Sequence, residues 1–394
     1  MFRKRSLLGN LLQRERGDGS KGWLNDLEKK KASSLSIVSS KSFKSAGGHG
    51  VTWLDIDHVD HRYMLASSSK GAVSLFDVQT PDGEGKYSAL KTVDRTTTGG
   101  HQYLVSAVAW YPVDTGMFVS GSFDAQINIW DTNKMEVAYQ FDMGARVYSV
   151  AMSAIATSHC LVAVGSEDPL VKLCDPSSGG FSHTLEGHSE SVWAVHWSLG
   201  NEFELVTGGM DGQLRLWDIR RSGCMRTFDQ HYTRVDKSQE NDQHRDSRIP
   251  REPNKPTTGH DGHVTAVKPT PNGLCWISAA TDSRVRLWDA VNHTNMLVNY
   301  SGTYNRSMKA RQLAVSSDSE LIFHPSGSVV QVFDLSTGET FDNLRGHMDT
   351  INCCLFNPSM HELYSGSNDG NILVWGIPHS ACDDVMDQDN WSDD

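Results

Sequence analysis

Four sets of side chains in this 394-residue chain carry the groups of a nucleophile, a general base and its acidic partner. They are His101, Ser120 and Asp124; His188, Thr207 and Asp211; His260, Ser278 and Asp282; and His347, Ser365 and Asp369. In each set the hydroxyl precedes the Asp by four residues, and a Trp follows, as Trp130, Trp217, Trp288 and Trp375. A lone set would suggest acyl transfer, with the His taking the hydroxyl proton. Four copies point elsewhere, because a catalyst needs one nucleophile whereas a structural relay recurs with its structural unit. An Asp can hold a His ring, the ring can reach the hydroxyl, and an indole N–H can close the line. A buried network of this kind has to be complete, since each orphaned group costs about 1–3 kcal/mol. No G-x-S-x-G elbow and no G-x-x-x-x-G-K phosphate cradle occurs. The cysteines (Cys160, Cys174, Cys224, Cys275, Cys353, Cys354 and Cys382) include no C-x-x-C pair, so they read as reduced, packed thiols rather than a zinc site. No catalytic residue, metal ligand or cofactor is expected.

The elements that must position these sets recur as well. A short pattern, apolar, any, apolar, aromatic or Cys, then usually Asp, occurs seven times. Its copies are Val73-x-Leu75-Phe76-Asp77, Ile127-x-Ile129-Trp130-Asp131, Val171-x-Leu173-Cys174-Asp175, Leu214-x-Leu216-Trp217-Asp218, Val285-x-Leu287-Trp288-Asp289, Val330-x-Val332-Phe333-Asp334 and Ile372-x-Val374-Trp375-Gly376. The intervening residue is polar in all but the last, where it is Leu373, so the alternation has period two and the copies are strands. Their spacing is 54, 44, 43, 71, 45 and 42 residues, close to the roughly 40–45 of one four-stranded propeller blade. The expected fold is all-β, a seven-bladed β-propeller over residues 32–376. Blades 1, 3 and 6 lack the full relay and are expected to rest mainly on apolar packing. The 71-residue interval holds a polar, proline-bearing insertion at 229–258, read as a disordered loop. A ring protects its edges only when closed, and residues 35–38, or the stretch on to 43, could supply the closing strand.

Charge concentrates at the ends. Residues 1–31 carry nine Lys or Arg and four acids, and residues 377–394 carry six Asp and no base. The head is read as a basic docking segment with a short helix, whose stripe is Leu7, Leu8, Leu11 and Leu12; a transit peptide or a frayed tail are the other readings. The tail is read as disordered and acidic. The net charge of −12 leaves no whole-protein basic footprint, so at most weak, local contact with nucleic acid is expected. No apolar run approaches the roughly 20 residues of a membrane helix.

The coincidence of Gly-His, Ser/Thr, Asp and Trp in seven strand repeats resembles the WD40 propeller family. Only the fourth copy continues as Trp217-Asp218-Ile219-Arg220; the place of Arg220 holds Gln79, Asn133, Ser177, Val291 or Ser336 in five others. This W-D-x-R motif resembles that of the substrate receptors of cullin-4 ubiquitin ligases. Within them, the stretches 62–65 (RYML), 110–118, 159–165, 172–175 (KLCD), 229–231, 297–300 and 362–367, with the acidic Trp-containing end 389–394, resemble the Cockayne syndrome group A family. The resemblance implies a non-catalytic, nuclear substrate receptor acting in transcription-coupled nucleotide excision repair. It implies docking on DNA damage-binding protein 1 of a cullin-4 RING ligase through Trp217, Asp218, Arg220 and the leucine stripe of the head. The Cockayne syndrome group B ATPase, RNA polymerase II and repair factors are the implied clients and neighbours. Lys70, Asp168 and Arg284, in turns of the repeats, form a candidate client face. The alternative is a generic WD-repeat scaffold in another nuclear complex, such as chromatin or splicing, which would need neither Arg220 nor the head.

Overall fold

Each of the seven patterned copies forms the third strand of an antiparallel sheet. The computed structural model describes residues 35–82, 86–232 and 257–377, and among them the seven sheets are joined by turns with no α-helix. Blade 1 consists of Val51–Ile56, Tyr63–Ser68, Val73–Asp77 and Lys91–Val93. Blade 2 is Val105–Trp110, Met117–Ser122, Gln126–Asp131 and Glu136–Asp142; blade 3 is Val147–Met152, Val162–Ser166, Val171–Asp175 and Gly180–Leu185. Blade 4 is Val192–Trp197, Glu204–Gly209, Leu214–Asp218 and Cys224–Thr227. Blade 5 has three strands, Val264–Pro269, Cys275–Ala280 and Val285–Asp289, and its outer edge is reduced to a bridge between Trp288 and Asn295. Blade 6 is Ala314–Val315, Leu321–Ser326, Val329–Asp334 and Thr340–Arg345.

Blade 7 is built from both ends of the ring: Ile351–Asn357, Glu362–Ser367 and Asn371–Gly376 take Ser36–Lys44 as their outer strand. The closing strand thus runs beyond residues 35–38 to Lys44. Ile37 lies opposite Trp375 and Phe43 opposite Ile372, with a register shift between Ile37 and Ser42. Lys41 Nζ donates to Glu362 Oε1 at 2.8 Å, and buried Phe43 packs edge-on against Phe76 of blade 1 and Tyr364 of blade 7. A strand that leaves the chain before blade 1 therefore ties the last blade to the first.

In blades 2, 4 and 7 a glycine near the end of the second strand receives the first Val of the next blade. A Cβ added to Gly121 would lie 2.6 Å from Val147, and one added to Gly366 would lie 2.6 Å from Val51. In blade 3 the first three strands are mostly buried, while the outer strand Gly180–Leu185 is largely exposed. Because successive strands are antiparallel, the turns joining strands 1–2 and 3–4 lie on one face of the ring. The turns joining strands 2–3, and the connections into each next blade, lie on the other.

The insertion is anchored at both ends, which corrects its reading as disordered over all of 229–258. Gln230 N donates to Thr258 O, Asn295 N to Tyr232 O, and Arg286 Nη2 donates to Gln230 Oε1 at 2.7 Å. Tyr232 thus bonds to the outer side of Asn295, the residue that bridges to Trp288 of the third strand. Residues 233–256 lie outside the described residues, as do the head 1–31 with Leu7, Leu8, Leu11 and Leu12, and the tail beyond 377.

Candidate functional site: the relays and the two faces

The four relays close as the spacing requires. His Nδ1 lies 3.0–3.1 Å from the Asp carboxylate in blades 2, 4, 5 and 7. His Nε2 lies 2.7–2.8 Å from Ser120, Thr207, Ser278 and Ser365. The indoles of Trp130, Trp217, Trp288 and Trp375 donate to the same hydroxyls at 2.7–2.8 Å. One assignment of hydrogens satisfies every atom: Nδ1–H donates to the carboxylate, the hydroxyl donates to Nε2, and the indole donates to the hydroxyl. Burial opposes ionisation of Asp124 and Asp211, but the His ring and nearby amides outweigh it and hold both carboxyls below the usual range. Each hydroxyl is fully buried and already engaged on both sides, so it is shut off from a substrate carbonyl.

The other three blades lack both the relay hydroxyl and the Trp. Blade 1 has Ala66 and Phe76, and blade 3 has Val164 and Cys174, at the hydroxyl and Trp positions, all buried. Burial pushes the Cys174 thiol up to about 12, as expected of a packed, unreactive sulfur. Blade 6 differs: His324 takes the hydroxyl position and Phe333 the Trp position. Apolar packing thus holds blades 1 and 3, while blade 6 keeps a buried imidazole.

Asp218 sits at the turn between strands 3 and 4 of blade 4. Equivalent Asp residues cap this turn elsewhere: Asp77, Asp131, Asp175, Asp289 and Asp334 each accept from the amide two residues on, at 2.8–2.9 Å. Asp218 does the same for Arg220 N at 3.0 Å. It then accepts two more bonds, from Arg220 Nε at 3.0 Å and Nη2 at 2.8 Å. The guanidinium also lies over the Phe203 ring, 4.4 Å from its centroid. Ile219 N donates to Phe203 O, which ties the two turns together. Arg220 is therefore fixed before any partner arrives, yet its side chain is 54% exposed. The Arg220 side chain also draws the Asp218 carboxyl below its ordinary range.

Blade 1 holds a second such pair that its spacing conceals. Arg62, from the turn between strands 1 and 2, donates to Asp77 Oδ2 through Nε at 3.0 Å and Nη2 at 2.7 Å. Its guanidinium lies 5.3 Å from the Tyr63 ring centroid. Against the penalty of burial, this contact and the Thr80 hydroxyl pull Asp77 down to about 2. Arg62 precedes Asp77 by fifteen residues, so a motif search around the Asp misses it; the signal was its place at the head of the RYML stretch.

Lys70, Asp168 and Arg284 occupy turns between strands 2 and 3 of blades 1, 3 and 5, on the face opposite Arg220. Lys70 and Arg284 are exposed, and Asp168 lies 4.0 Å from Lys172. They share a face but stand on alternate blades, so they form no single patch.

Comparison with known proteins agrees with this geometry. The WD domain, G-beta repeat family matches residues 93–131, 179–218, 251–289 and 338–376, each ending on the third strand of a relay-bearing blade. The WD repeat-containing protein ATCSA-1 of Arabidopsis thaliana is 36% identical over 95% of this chain and 97% of its own length. The chain belongs to the WD-repeat family. More distant relatives include the nuclear distribution protein nudF of Aspergillus niger, 23% identical over 82% of this chain and 72% of its own. Radiation-sensitive protein 28 of Saccharomyces cerevisiae is 28% identical over 41% of this chain and 34% of its own length. Propellers of this family serve as scaffolds or receptors, in keeping with relay hydroxyls that are enclosed and spent on structure.

Proposed function

We propose that this WD-repeat protein is a substrate-recognition subunit of a cullin-4 RING ubiquitin ligase, of the Cockayne syndrome group A type. It acts in the nucleus in transcription-coupled nucleotide excision repair. The observation that carries the reading is Arg220: a half-exposed guanidinium, locked by a buried carboxylate and an aromatic ring, on one turn of one face. Such a preorganised fork loses little freedom on docking and suits the anchor of an interface. DNA damage-binding protein 1 docks on that face, with the leucines of the head reaching the same partner. The opposite face, with Lys70, Asp168 and Arg284, presents clients such as the Cockayne syndrome group B ATPase or components of stalled RNA polymerase II. The chain does no chemistry of its own; it raises the local concentration of client near the ubiquitin-conjugating enzyme. The likeness to ATCSA-1 along almost the whole of both chains supports this reading.

Reconstitution tests it. Purified chain is mixed with DNA damage-binding protein 1 and the cullin-4 RING core and resolved by size. The reading expects one complex containing all three, lost on combining Arg220→Ala with deletion of residues 1–31. Failure of the unmodified chain to enter the complex refutes it.

A further inference from the structure

Blade 6 departs from its neighbours where it meets the central channel. The stretch that should form its first strand carries Lys309 and Arg311, and regular pairing with the second strand shrinks to Ala314–Val315. The chain before it leaves its own sheet. Gln312 N donates to Asn352 O, Cys354 N donates to Gln312 O, and Arg311 N donates to Thr265 O of blade 5. The Gln312 amide clasps Leu54 of blade 1, accepting from its N at 3.1 Å and donating to its O at 2.7 Å. Arg311 is thereby pinned between blades, with 7% exposure.

Its guanidinium is under-partnered. Nη1 donates to Pro325 O at 3.2 Å. Nε has no partner among the described residues, and neither has the Ser149 hydroxyl nor either ring nitrogen of His324. Burial and the neighbouring Cys354 thiol are what act on Arg311, and no carboxylate does; Asp55 acts on His58 and Lys268, and Asp349 on Lys309. A cavity of about 50 Å³ lies against Arg311 and Ser149, lined also by Lys268, His196, Gln312 and Trp53. Since one water needs about 10–15 Å³ of such space, it has room for a few waters or one small oxyanion. Two cations and an orphaned hydroxyl around one cavity favour the anion, because a buried guanidinium needs a counter-charge as well as acceptors.

We propose that the central channel binds a small tetrahedral oxyanion, of the inorganic phosphate or sulfate class, through Arg311, Lys268 and the Ser149 hydroxyl. The bound ion ties blades 3, 5 and 6 together from inside the ring. This site is independent of adaptor docking on the outer turns. The test is thermal unfolding of the full chain against sodium phosphate, with ionic strength held constant by gluconate, which is too large for the cavity. A ligand that binds only the folded state raises the midpoint in a saturable way, by roughly 3–6 °C at a hundredfold excess over its Kd. Arg311→Met and Lys268→Met, which keep length and remove charge, should each abolish the saturable rise. Lys268 lies on a regular strand, so its variant reads the site even if Arg311→Met does not fold. Absence of a saturable rise in the unmodified chain overturns the proposal, and so does a full rise in either variant, which would mark a general salt effect.

Discussion

Replacing Thr207 with Val probes the relay while keeping the shape of the side chain. Thr207 is fully buried and its hydroxyl is the shared partner of His188 and Trp217, each at 2.8 Å. The substitution leaves an imidazole nitrogen and an indole N–H without partners in a site closed to water. At about 1–3 kcal/mol for each orphan, the cost is about 2–6 kcal/mol. A second substitution, Trp217→Phe, removes one orphan, so the double variant should be less damaged than the sum of the two singles by about 1–3 kcal/mol. Blade 1 already contains such an apolar combination in Ala66 and Phe76. The assay is equilibrium urea unfolding of all four proteins, compared at constant m value. A cost for Thr207→Val below about 0.5 kcal/mol, or strict additivity of the two changes, would refute the relay as a unit of stability.

Three further outcomes follow from the same structure. Burial, with the Lys268 charge, holds His196 down to about 4, and burial with the Arg311 charge holds His324 down to about 3. Because both lie below the roughly 6.5 of an unfolded His, stability is complete above about pH 6.5 and falls as pH drops toward those values. The lowered carboxyls of Asp124, Asp211 and Asp369 add a further loss below about pH 4. Urea midpoints should hold from pH 7.5 to about 6.5 and decline from there to pH 4, and a constant midpoint down to pH 4 would contradict the burial of these rings. Phe43→Ala, which empties the contact between the closing strand and blade 1, should cost about 3–5 kcal/mol. Hydrogen exchange should then speed up first along Asn371–Gly376; an unchanged rate there would mean that Ser36–Lys44 does not hold the ring shut.

Most of the ring is legible in the sequence because its determinants are local. The alternation Leu214-x-Leu216-Trp217 fixes a strand, and the hydroxyl and Asp preceding it fix the turn and the relay. Closure was legible only as a region, since the serines around Ile37 and Val38 carry no strong strand signal; the edge of blade 7 supplies the missing backbone partners. Blade 6 was legible as an exception but not in its form. Where Lys309 and Arg311 settle depends on blades 1, 5 and 7, far away in the chain. The same holds for Arg62, whose partner Asp77 is set by the turn geometry rather than by a motif. Arg220 stood out because it lies two residues from the Asp that holds it.

The docking claim rests on one guanidinium and can be tested at that atom group. Binding of purified DNA damage-binding protein 1 to immobilised chain should be measured for the unmodified protein and for Arg220→Ala. Arg220 does not contribute to the relay, so the variant should stay folded, with only a modest fall in its urea midpoint from the lost bonds to Asp218. Loss of an anchor worth about 2 kcal/mol corresponds to roughly thirtyfold weaker binding. The account predicts a loss of that order with an unchanged fold. Equal affinity of the two proteins, or no binding by the unmodified chain, would contradict it.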